Sequence, residues 1–171
     1  SRPWGNYRSH YRPLVEYARD NDLAVLAANI PRPLARKVSK EGPEAIAGEE
    51  FAARFSTAPP GLYHDLFWDI MNPSGGEPDD ELLQRFFAAQ CYKDDTMAES
   101  IVDYMTSRPH RRPLIVHLCG KFHSDLGLGT HARVLQRWPL TQTSVVSMES
   151  FEESAEAALK TAKKRGHYLI A

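Results

Sequence analysis

Residues Asp79 to Thr106 set the strongest constraint on what this chain can fold into. Asp79, Asp80 and Glu81 open the segment, where the positive end of a helix dipole favours anions. Apolar residues then recur at steps of three and four through Leu83, Phe86, Phe87, Met97, Ile101, Tyr104 and Met105. One long helix with one buried stripe is expected. Gln90 and Asp94 fall on that same stripe. Burying an unpaired amide or carboxylate is costly, so this helix has to find partners for both groups. Either they tie the helix to strand ends, through Arg32, or they line a site.

The rest of the chain alternates apolar runs with amphipathic stretches. Pro13 to Asn21 reads as a short helix with proline in its first turn, and Leu23 to Ile30 (LAVLAANI) as a fully buried strand. Pro31-Arg-Pro33 breaks the run, and a helix restarts over Leu34 to Ser39. Residues 42–78 are dense in glycine and proline and read as an irregular or helical insertion, a candidate mobile cover. Leu114 to Cys119 (LIVHLC) is a second buried-strand candidate, Gly129 to Trp138 a helix, and Thr143 to Met148 a β-branched strand. A capping box at Ser150-Phe-Glu-Glu153 opens a further helix that ends at Gly166, and His167 to Ala171 reads as a last short strand. The expected class is α/β, a mostly parallel sheet flanked by helices, in a single domain of residues 1–171.

Charge and cysteine content exclude several functions. With 21 basic against 22 acidic residues the net charge is −1, which gives no reason to seek nucleic acid or an anionic membrane. No run of apolar residues is long enough to span a bilayer. Cys91 and Cys119 form no paired CxxC zinc motif, and inside apolar stretches they read as buried thiols. The chain opens on Ser1 with no apolar signal core, as expected of a processed end.

In a parallel sheet, ligands collect beyond the carboxyl ends of the strands. Two such ends are rich in polar groups: Asn29-Ile-Pro-Arg32, and Gly120-Lys121-Phe-His123. Arg32 suits a carboxylate or phosphate, or Asn29 and Arg32 cap a loop and pair with Asp94. Gly120 is expected to permit a positive φ or a close backbone approach, and His123 to bind a metal, hold a ligand or act as a base. His117 reads as a core histidine and Gly127-Leu-Gly129 as a turn into the following helix. Tyr63, His64, Tyr92 and Tyr104 offer phenol and imidazole groups for an iron centre, with Tyr104 expected in the core.

Tyr11-Arg-Pro13, Asn29-Ile-Pro-Arg32, Gln90-Cys-Tyr-Lys-Asp-Asp-Thr-Met-Ala98, and Gly120-Lys-Phe-His123 followed by Gly127-Leu-Gly129 together resemble one family. It is the ChaN-like haem-binding uptake proteins, of the superfamily that includes the Tiki proteases and erythromycin esterases. Order and spacing agree over about Tyr7 to Pro139. The resemblance implies a haem or iron-porphyrin binder without catalysis of its own. Iron would be held by a tyrosine at a dimer interface, and the propionates met by histidine and a basic side chain. His123 and Arg32 carry over as site residues, beside Asn29, Gln90, Asp94, Gly120 and Lys121. Tyr63, Tyr92 and His123 are the candidate iron ligands. Family habit also implies a bacterial cell-envelope or periplasmic lipoprotein. Two departures stand out: Lys121 replaces a common asparagine and His131 a common proline. The family's Gly-Glu-x-His strand end does not occur, so the chain is expected to be the C-terminal portion of a larger domain, completed by an N-terminal partner fragment or a homodimer mate. The alternatives are a metal-dependent hydrolase of the same superfamily, with a divalent metal, and a structural interaction module.

Overall fold

A computed structural model describes residues 5–73, 80–108, 114–150, 156, 157, 160 and 162–170. Helix α4 (Asp80–Thr106) is its axis, and α2 (Arg32–Glu41), α3 (Leu62–Met71) and α5 (Thr130–Arg137) pack around it. Leu83, Phe87, Gln90, Asp94, Met97 and Ile101 are all buried, so the three-and-four periodicity does mark an inward face. The burial extends further round the helix, to Ala89, Cys91, Asp95, Thr96, Ala98 and Glu99.

Three apolar clusters follow one another along α4. Ala89 meets Ala35 and Val38 of α2 together with Ile30 and Ile46. Phe87 and Cys91 meet Phe67 of α3, with Tyr63, Trp68, Phe86 and Phe122 around them. Ala98 and Ile101 meet Val134 of α5. Burial of an aromatic side chain such as Phe87 contributes about 1.5–3 kcal/mol. Both cysteines are free thiols, and burial pushes the Cys91 thiol up to about 12.

The described sheet is much smaller than expected. It pairs β1 (Val146–Met148) with β2 (Tyr168–Ile170) in parallel, Val146 opposite Tyr168. Leu23 to Ile30 and Leu114 to Cys119 belong to no ladder. Apart from Ile30 they are not buried: Leu114 is 91% and Val116 75% exposed, and Leu23 and Val25 more than half. An apolar run becomes a strand only when another strand completes its hydrogen bonds, and among the described residues neither run has one. The chain is mixed α/β and mostly helical, and the sheet among the described residues has two parallel strands rather than the larger one expected.

Other boundaries moved for local reasons. Pro31-Arg-Pro33 starts α2 instead of breaking the chain, because proline in a first turn lacks only an N–H that would go unpaired there. Helix α1 (Arg12–Asp20) forms, yet it leaves Leu14 and Tyr17 exposed. Within residues 42–78, Pro43–Ile46 make a 3-10 turn and Leu62–Met71 form α3. The expected helix start at Asp79 and most of the capping box, 151–153, lie outside the described residues. Among the described residues no helix is long and apolar enough to cross a membrane.

The small sheet still positions the site. Ser147 on β1 donates its hydroxyl to Asp125 Oδ1 at 2.8 Å, and Lys121 pairs with Glu149 just past the strand. Both contacts hold the segment that carries His123.

Candidate functional site

Asp94 has no exposed surface, and three elements converge to satisfy it. Tyr63, in the first turn of α3, donates its hydroxyl to Oδ2 at 2.5 Å. Thr130, the first residue of α5, donates to Oδ1 at 2.7 Å. His123, at the end of the 3-10 turn Lys121–His123, places Nδ1 2.8 Å from the same oxygen. Gln90, one turn earlier on α4, completes the group. Its Nε2 donates to the Tyr63 hydroxyl at 3.1 Å and lies against the His123 ring, 3.2 Å from Nδ1 and 3.5 Å from Nε2. With its proton on Nδ1, the imidazole donates to Asp94 and keeps a lone pair on Nε2. A carboxylate behind an imidazole in this way is the arrangement that orients histidine as a ligand or a base.

Burial first, then the charge of Asp94, raises the Tyr63 phenol well above the ordinary tyrosine range. At neutral pH it is a donor to Asp94 and no phenolate. The ring lies in an aromatic layer, stacked on Phe122 with centroids 4.8 Å apart. His64 is turned away, stacked on Trp68 at 3.9 Å.

A cavity of about 390 Å3 opens between α2, α3 and α4, beside this group. Phe67, Met71, Phe86 and Ala89 give it an apolar wall. Arg32, Arg36 and Lys93 bring three cations to it, and Gln90 lines it as well. Gln90 thus belongs both to the cavity and to the Asp94–His123 group. Lys93 Nζ donates to Gln90 Oε1 at 3.3 Å, and burial holds its ammonium below the usual lysine range.

Gln90, Asp94 and His123 come together, with Arg32 at the cavity that Gln90 lines. The expected Arg32–Asp94 pairing is not formed; Tyr63, Thr130 and His123 take its place. Asn29 lies exposed at the bend before Ile30. Lys121 turns to Glu149, and Tyr92 packs against the Ile30–Val38 cluster, so neither lines the cavity. Tyr104 is partly buried, its ring covered by the Arg108 guanidinium at 3.9 Å. His117 is half-buried with an Nε2 that has no hydrogen-bond partner among the described residues, and burial lowers its pKa.

Sequence reasoning missed Thr130, Arg36 and Lys93. The signals were there: Arg36 is one turn from Arg32, Lys93 one turn from Gln90, and Thr130 opens a helix after a glycine.

Gly120 has an ordinary extended φ of −68°, so its expected special role is corrected. That role belongs to Gly129, at φ +60° and ψ −128°, a region open only to glycine. A Cβ there would sit 2.6 Å from the His123 carbonyl oxygen and 3.0 Å from Asp94 Oδ1. Gly129→Ala is expected to cost about 2–4 kcal/mol through backbone strain and this clash. A denaturation midpoint within error of the wild type would show that the turn accepts a side chain.

A family model described as haem-binding uptake, Tiki superfamily, ChaN matches residues 1–134. No curated protein and no solved structure matches the chain.

Proposed function

The chain belongs to the haem-binding uptake family of the Tiki superfamily, ChaN, and on that premise we propose that it binds haem at the cavity between α2, α3 and α4. The observation that carries the reading is the position of Gln90. It joins a cavity of apolar wall and cations to a histidine whose Nδ1 is held by the buried Asp94.

Haem is a flat apolar ring with two carboxylates and an iron that takes an axial ligand. The lining residues fit the ring and the carboxylates, and His123 lies behind Gln90, outside the lining. Phe67, Met71, Phe86 and Ala89 suit the ring, and Arg32, Arg36 and Lys93 suit the carboxylates. His123 Nε2, backed by Asp94, suits the iron better than Tyr63, whose hydroxyl is committed, or Tyr92, which packs elsewhere. Bound haem would supply a metal centre; the chain's own residues orient it, meet its charge and shield one edge from water. A binding and carrying role follows, in uptake at the cell envelope, with the exposed runs at 23–28 and 114–118 covered by a second copy or a partner fragment.

Titration with hemin tests the proposal. A saturable Soret shift is expected, with the band position changed in His123→Ala. A folded chain that gives no saturable shift overturns it.

The Asp94–His123 pair also supports a second reading, metal-dependent hydrolysis with His123 as base or ligand. It ranks lower because, among the described residues, no three His, Cys, Asp or Glu side chains converge to hold a metal ion. Ester hydrolysis that needs an added divalent metal and disappears in His123→Ala would reverse the order.

A further inference from the structure

The cavity's cations are free to bind, whereas its iron ligands are already engaged. Arg32 and Arg36 sit one turn apart on α2, and neither guanidinium has an ion-pair or hydrogen-bond partner among the described residues. Lys93 approaches from α4 and touches only the neutral amide of Gln90. No carboxylate lines the cavity, although the chain as a whole carries one more acid than base. Three converging cations above Phe67, Met71 and Phe86 are complementary to an apolar body that carries carboxylates. His123 and Tyr63, by contrast, do not line the cavity, and both are tied to Asp94 behind Gln90. An iron bond would have to reach past Gln90, whereas a carboxylate meets cations that line the cavity itself.

We propose that this cavity recognises its ligand through the carboxylates and apolar edge of the ring, so that the chain takes up metal-free porphyrin dicarboxylates about as tightly as their iron complex. The inference rests on the haem reading and adds the basis of recognition: the metal is carried along, and Arg32, Arg36 and Lys93 select the charge.

Three probes decide it: hemin, protoporphyrin IX and protoporphyrin IX dimethyl ester, each titrated into the wild-type chain and into an Arg32→Gln/Arg36→Gln variant. Both positions are exposed, so the variant is expected to fold. Hemin and protoporphyrin IX are expected to bind within about threefold of each other, and the ester about tenfold or more weaker. The double substitution is expected to weaken both free acids about tenfold and leave the ester unchanged. Hemin bound tightly with protoporphyrin IX more than about tenfold weaker would overturn the inference and leave the haem reading standing. So would an ester that binds as well as the acid. Failure of all three probes to bind the folded wild-type chain overturns the haem reading itself.

Discussion

Replacing Asp94 by alanine is expected to remove about 3–5 kcal/mol of folding stability, because a buried donor stranded without its acceptor costs about 1–3 kcal/mol. Three donors are stranded at once: the Tyr63 hydroxyl, the Thr130 hydroxyl and His123 Nδ1. They come from α3, α5 and the turn before α5, so the substitution loosens three elements from α4 together. Asp94→Asn keeps an oxygen able to accept two of the three and is expected to cost about 1–2 kcal/mol. The isosteric variant also separates stability from site geometry. It should remain folded while hemin binding weakens, since the imidazole is no longer held by a charge. Urea denaturation with an unchanged slope checks the first statement and a hemin titration the second. A loss below about 1 kcal/mol in the alanine variant would mean that the three donors find other acceptors and that Asp94 is no hub.

The sequence made α4 and its two polar intruders visible because both depend on spacing alone. A residue three or four positions from its neighbour lies on the same face whatever the helix packs against. Partners are a different matter. Nothing local to Asp94 says that Tyr63 and Thr130, which lie 31 and 36 positions away, close on it instead of Arg32. The strand readings failed for the same reason in stronger form. Leu23 to Ile30 and Leu114 to Cys119 have strand composition, but a strand is a relation between two segments. Neither run is assigned helix or strand, and the ladder is absent among the described residues. Where two runs did find each other, at Val146–Met148 and Tyr168–Ile170, the expectation held with shortened ends. Glycine was misread by position. Gly120 follows an apolar run but keeps an ordinary φ, whereas Gly129 is fixed by the close passage of His123, a contact that no spacing reveals.

A second large effect is expected at Asp95, the residue beside the hub and on another face of α4. Its carboxylate lies 3.1 Å from Arg133 Nε and 2.8 Å from Arg137 Nη1, with all three side chains at most 9% exposed. It also accepts the Ser56 hydroxyl at 2.7 Å and the Thr57 amide at 3.3 Å. Beside it Thr96 accepts the Ala53 amide and Glu99 the Arg54 amide, so residues 53–57 are strapped to α4 by polar contacts rather than by a core. The signal was legible as two matched pairs, Asp95 with Glu99 and Arg133 with Arg137, each one turn apart on its own helix. Breaking a buried pair by removing one partner leaves an uncompensated charge and costs about 3–5 kcal/mol, whereas replacing both partners by apolar groups costs far less. Asp95→Ala is therefore expected to lose about 3–5 kcal/mol, and Asp95→Leu/Arg133→Met to recover a good part of it. The loss should persist at high salt, since buried charges are poorly screened. Residues 56 and 57 should also become a cleavage site for a protease in Asp95→Ala while α4 stays intact, because their straps end on that carboxylate. Equal midpoints for the single and double variants would show that the two charges are not coupled, and the ring of charge between α4 and α5 would then be a bystander to the packing of Val134 against Ala98 and Ile101.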